Sequence, residues 1–135
     1  MKLLLDTHIL IWTLKGNEKK LPVEARQLIE NEENEIFYSN LSIFEIELKR
    51  VTRPDKMPAI GEEVLSHCEN AGFIRLDLNI SHILAFKNLK RFDYAPPHND
   101  PFDKLMLCQA IVEEMTFMTH DKRIAEYDTR FVYKV

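Results

Sequence analysis

The sequence predicts an α/β fold: a central, mostly parallel sheet of about five strands covered by helices on both faces, in three layers. Two observations predict it. Apolar runs of strand length recur at Lys2 to Leu5, Glu35 to Ser39, Phe73 to Leu76, Thr116 to Met118 and Phe131 to Tyr133. Between them lie segments whose apolar residues repeat at helical spacing, with caps and stops where helices need them. The chain has 135 residues, only 3 glycines, no internal repeat and no shift of composition. It therefore reads as one domain, 1–135, long enough to bury a hydrophobic core.

Each element has a local reason. Lys2 to Leu5 is a short buried strand, and Ile9-Leu10-Ile11-Trp12 begins a helix that Gly16-Asn17 ends. Pro22 suits the first turn of a second helix, whose apolar face is Val23, Ala25, Leu28 and Ile29. The polar run Asn31 to Glu35 turns the chain into the second strand. Asn40 is placed to cap a third helix, Leu41 to about Val51, closed by Pro54. A fourth helix covers Ile60 to Asn70, with Gly72 as its stop. After the third strand, Asn79 or Ser81 caps a helix from Ser81 to about Lys87. Tyr94 to Asn99 is a loop. Asp100-Pro101 then opens a long helix through Leu105, Leu107, Ala110 and Ile111 to Glu114, because Asp suits the cap and Pro the first helical position. Lys122 to Glu126 is a short helix before the last strand.

Composition excludes several classes. Asp6 interrupts the N-terminal apolar run too early for a signal peptide. No stretch approaches the roughly 18 apolar residues that span a bilayer. Cys68 and Cys108 lack metal-type spacing and fall on apolar helix positions, as reduced core cysteines of a cytoplasmic protein do. The net charge of −4 lacks the basic footprint of a nucleic-acid binder. That objection lapses if some acids are metal ligands, because a bound cation inverts the local field.

The acids are therefore the informative residues. Asp6 follows the first strand and Asp121 follows the fourth, so both stand at carboxyl ends, where open α/β sheets bind ligands. Asp100 and Asp103 lie one turn apart at a helix start, where the helix dipole favours negative charge. Glu45 sits on the Leu41, Ile43-Phe44, Leu48 flank of the third helix. Ordinary roles exist for each: Asp6, Asp100 and Asp121 as helix caps, Asp103 as a first-turn acid, Glu45 as a partner of Lys49 at i+4. Gathered together they need a cation, since two carboxylates about 4 Å apart repel by roughly 4 kcal/mol at an effective dielectric of 20. Mg²⁺ or Mn²⁺ suits an all-oxygen site and phosphoryl chemistry. Thr7, Thr119 and Ser42 place hydroxyls where they can orient water or phosphate, or cap turns. Lys49 and Lys104 can meet phosphates or stay solvated, as can Arg50, Arg53 and Lys56.

Four blocks of the chain resemble the PIN-domain ribonucleases, and among them the VapC toxins of bacterial type II toxin–antitoxin systems. They are Leu3-Leu4-Leu5-Asp6-Thr7-His8, Ser42 to Lys49, His98 to Lys104 with its continuation to Gln109-Ala110, and Thr119-His120-Asp121. The resemblance implies a PIN-like α/β/α fold and hydrolysis of RNA by an endoribonuclease that uses a water activated by Mg²⁺ or Mn²⁺. It also implies homodimerisation and a cognate antitoxin. It assigns Asp6, Glu45, Asp103 and Asp121 as the catalytic, metal-binding acids, prefers Glu45 to Glu47, and gives Asp100 a supporting role. Phe44 stands where relatives often carry Trp, and Asn99 where Arg is common. Rival readings are a catalytically silent PIN-type binding module, which would be expected to lose acids this chain keeps, and a Mg²⁺-dependent phosphatase of the haloacid-dehalogenase type. The latter needs a second aspartate where His8 stands. A phospho-acceptor receiver domain would need its aspartate after a central strand and a lysine after the last.

Overall fold

The structure, a computed structural model, describes residues 1–17 and 19–135. Five strands, β1 (Lys2–Leu5), β2 (Glu35–Ser39), β3 (Ile74–Leu76), β4 (Thr116–Thr119) and β5 (Val132–Lys134), form one sheet in the order β3-β2-β1-β4-β5. Every pairing is parallel. Six α-helices connect and cover them: α1 (Thr7–Leu14), α2 (Val23–Glu30), α3 (Asn40–Thr52), α4 (Gly61–Asn70), α5 (Ile80–Leu84) and α6 (Pro101–Val112). The α/β architecture with helices on both faces is the one expected.

Strand alternation sorts the core into two layers. Leu4 is in register with Phe37 on one side and Phe117 on the other. That row packs against Met106, Leu107 and Ala110 of α6 and Leu41 of α3. Leu3, Leu5, Tyr38 and Met118 point the other way, against Ile9 and Leu10 of α1, Ala25 of α2, Ile46 of α3 and Val64 and Cys68 of α4. Because both faces are covered, β1 reads as the continuous run Leu3-Leu4-Leu5, all fully buried, rather than as an alternating pattern. Cys68 and Cys108 are buried and free. Among the described residues, no helix is long and apolar enough to cross a membrane.

Several boundaries differ from expectation. Ser39, not Asn40, caps α3: its hydroxyl accepts from Leu41 N at 3.0 Å. The Asn40 side chain instead accepts from Leu78 N at 3.1 Å, tying the loop after β3 to the helix. The helix expected from Ser81 splits into α5 and a 3₁₀ turn, Ala85–Asn88, with Asn79 and His82 forming a reciprocal capping box. The helix expected from Lys122 is only a 3₁₀ turn, Ile124–Glu126. The stop at Gly72 is as expected, with φ +76.

Parallel order and chain order together set the position of the crevice. From β1 the chain moves outward to β2 and β3, then returns to the far side of β1 for β4 and β5. The direction reverses between β1 and β4, and their carboxyl ends open a crevice at that switch point. Leu107→Ala, at a fully buried position of α6, is expected to cost about 2–5 kcal/mol. A lowered urea midpoint with an unchanged m-value would register it.

Candidate active site

Asp6 and Asp121 are joined by one buried hydroxyl. Asp6 follows β1, and its Oδ1 accepts from Thr7 N at 2.7 Å as α1 begins. Its Oδ2 accepts from the Thr119 hydroxyl at 2.6 Å. Thr119 Oγ1 in turn accepts from Asp121 N at 3.0 Å. Thr119 is fully buried at the end of β4, so it sets the carboxyl end of β4 against that of β1.

Two helices bring the other acids. The Thr7 hydroxyl donates to Glu45 Oε1 at 2.7 Å and also touches Ser42 Oγ at 2.9 Å. This contact draws α3 over the crevice. Glu45 Oε2 pairs with Lys49 Nζ at 2.8 Å, one turn on. Asp100 caps α6, its Oδ1 accepting from Phe102 N at 3.0 Å and from Asp103 N at 3.3 Å. Asp103, in the first turn, is buried. Asp6, Thr7, Glu45, Lys49, Asp100, Asp103 and Asp121 line one cavity of about 280 Å³, with His8, His120 and Arg123.

The cost of this gathering appears in the acids themselves. Burial, reinforced by the charges of Asp6, Asp100, Glu45 and Asp121, pushes the Asp103 carboxyl up to about 9. Burial raises Asp6 to about 6, although its bonds from Thr119 and Thr7 favour the carboxylate. Burial also opposes ionisation of Asp121, but there hydrogen bonds and charge from Arg123 win and hold its carboxyl below the usual range. Arg123 grips Asp121 through Nη2 to Oδ2 at 2.9 Å and Nε to Oδ1 at 3.2 Å.

The structure thus brings Asp6, Glu45, Asp103 and Asp121 to one crevice, with Asp100, Thr7, Thr119 and Ser42 against it. Lys49 lines it as well. Lys104 does not: its ammonium lies over the Phe86 ring, 5.4 Å from the centroid, and lines a neighbouring groove. Glu47 points away and anchors α4, accepting from Gly61 N at 3.0 Å. A Cβ at Gly61 would meet the Glu47 carboxylate, so a larger residue there would displace this side chain. Sequence reasoning gave no role to Arg123, His8, His120 or His98. Arg123 was detectable as a cation two residues after Asp121. His98 opens one of the family blocks but was given no role, because its contacts are made only in space.

Fold and site together define a class: a parallel α/β protein that collects carboxylates at the switch point of its sheet. The chain belongs to the PIN-domain family, whose profile matches residues 3–130. PIN domains are generally nucleases and typically use divalent metals. Among solved structures, the chain is similar to VapBC2 from Rickettsia felis bound to a DNA fragment from their promoter, with a TM-score of 0.66 and 15% sequence identity. The match covers 99% of this chain and 98% of that one; at this identity it is a likeness of fold. No protein of curated function matches the sequence significantly.

The raised carboxyls have a measurable consequence. Between the ordinary carboxyl value of 3.8 and about 9, folded Asp103 holds a proton that the unfolded chain has released. Stability of metal-free protein must therefore fall as pH rises through this window. His98, whose imidazole burial holds below the usual range, acts oppositely but only in the acid part of it. In EDTA, the melting temperature is expected to fall between about pH 7 and 8.5, and Asp103→Asn to flatten that slope.

Proposed function

We propose that this protein is a metal-dependent endoribonuclease, the toxin of a type II toxin–antitoxin pair, acting in the cytoplasm as a single PIN domain spanning 1–135. The observation that carries this reading is the convergence of four carboxylates from β1, α3, α6 and the β4 end on one crevice, with Asp103 pushed up to about 9. An oxygen donor set in which Asp6 and Asp103 resist ionisation fits a hard divalent cation such as Mg²⁺ or Mn²⁺. Membership of the PIN family supports nuclease chemistry.

Asp6, Glu45, Asp103 and Asp121 would hold the metal. When bound, such an ion polarises a phosphate and acidifies water. The remaining work falls to the chain. Thr119 and the Thr7 amide fix both oxygens of Asp6. The Thr7 hydroxyl fixes Glu45, whose other oxygen Lys49 holds. Ser42 braces Thr7, and Asp100 orients Asp103 by capping the turn that carries it. Lys49 and Arg123 bring positive charge to the rim, where an incoming phosphate would meet it. Hydrolysis then adds a water oxygen to phosphorus and breaks the bond to the 3′-oxygen. The proton lost by water passes to a crevice carboxylate, the departing 3′-oxygen takes up a proton from solvent, and the products carry 5′-phosphate and 3′-hydroxyl ends.

A cognate antitoxin is the proposed partner, supported by the fold shared with the VapBC2 assembly. Homodimerisation is proposed from the family resemblance. Purified protein is expected to cleave total RNA with Mg²⁺ or Mn²⁺ and to stop in excess EDTA. Asp6→Asn is expected to lower the rate by about a hundredfold or more with an unchanged circular dichroism spectrum. Undiminished cleavage in EDTA, or a fully active Asp6→Asn, would overturn the reading.

A further inference from the structure

His98 lines the groove beside the crevice rather than the crevice itself, and its buried imidazole approaches Asp103 from that side. The side chain has 0% exposure. Nδ1 lies 3.0 Å from the Tyr127 hydroxyl, and the two rings meet edge to face with centroids 5.7 Å apart. Nε2 has no hydrogen-bond partner among the described residues. It points toward Asp103, whose Oδ2 is 3.7 Å away. Buried polar atoms in folded proteins almost always have a partner.

The distance is informative. At 3.7 Å the nitrogen and the carboxylate oxygen are too far apart for a hydrogen bond. Two donors bound to one ion at roughly 2.0–2.2 Å each stand about 3–4 Å apart. One ligand atom from each of His98, Asp103 and Asp121 lies within 4.8 Å of the other two. Arg123 holds Asp121 as well, but carboxylate oxygens carry further lone pairs. If Nδ1 donates to Tyr127, the lone pair is on Nε2 and faces the two acids.

We propose that His98 Nε2, Asp103 and Asp121 form a mixed nitrogen–oxygen site for a first-row divalent transition-metal ion, so that the crevice prefers Mn²⁺ to Mg²⁺. The proposal rests on the reading of the crevice as a cation site. Its chemical basis is that Mg²⁺ takes oxygen donors, whereas imidazole suits first-row transition ions. Tyr127 acts as a positioning residue, holding the ring by its other nitrogen, as partners of metal-bound histidines commonly do.

The test is pulsed electron paramagnetic resonance of Mn²⁺ titrated into the whole protein, with affinities for Mn²⁺ and Mg²⁺ from calorimetry. The wild type is expected to show ¹⁴N coupling from one coordinated imidazole. His98→Gln is expected to lose that coupling and about tenfold in Mn²⁺ affinity, with Mg²⁺ affinity changed less than about twofold. The double variant His8→Gln, His120→Gln is expected to keep the coupling. Should His98→Gln fail to fold, the signal in the double variant decides alone. Bound Mn²⁺ without ¹⁴N coupling, or coupling lost with His8 and His120, overturns this inference while leaving the cation site intact. Failure of the wild type to bind Mn²⁺ overturns both.

Discussion

Like charges held together away from water are the constraint on which this structure depends. A carboxylate pair about 4 Å apart costs roughly 4 kcal/mol at an effective dielectric of 20, and four acids line this crevice. The protein meets the cost in three ways. Asp103 resists ionisation, Arg123 neutralises Asp121, and Lys49 neutralises Glu45. Asp6 resists ionisation less strongly than Asp103, because it keeps two short hydrogen bonds, one to each oxygen.

The rest of the fold can be read as the scaffold that makes this arrangement hold. Two apolar layers clamp the sheet from opposite faces, so the ends of β1 and β4 have little room to shift. Buried hydroxyls then act as tethers between elements far apart in sequence. Thr119 joins β4 to Asp6, and Thr7 joins α1 to α3. Gln109 serves the same purpose away from the crevice: its Oε1 accepts from Ser39 at 2.7 Å and its Nε2 donates to Leu76 O at 3.3 Å. It therefore stitches α6 to the ends of β2 and β3.

Legibility followed the range of the interaction. The cap at Asp100 and the stop at Gly72 were readable because the residues that make them are neighbours in the chain. Asn40 misled for the complementary reason. It is a good capping residue, but a distant amide, Leu78 N, takes its side chain, and Ser39 does the capping. Glu45 and Glu47 were separable only through the family blocks, since both are helix glutamates; their fates diverge in the partners they meet, Thr7 for one and Gly61 for the other. Arg123 and His98 were overlooked because what marks them, a paired charge in one case and an unpartnered buried nitrogen in the other, arises only on folding.

By itself, the sequence determined the α/β class, the strand runs and many helix ends, and it singled out the acids that the fold brings to one crevice, because periodicity, caps and residue blocks are local or ordered along the chain. Tertiary structure alone decided the order of the strands, and with it the switch point between β1 and β4. It decided which hydroxyl orients which acid, which lysine faces the crevice, and that a buried imidazole turns its free nitrogen toward Asp103. The physical reason is the same in each case. Hydrogen bonds and Coulomb forces act between atoms a few ångströms apart, and residues 6, 45, 103 and 121 come within that reach only once the sheet has formed.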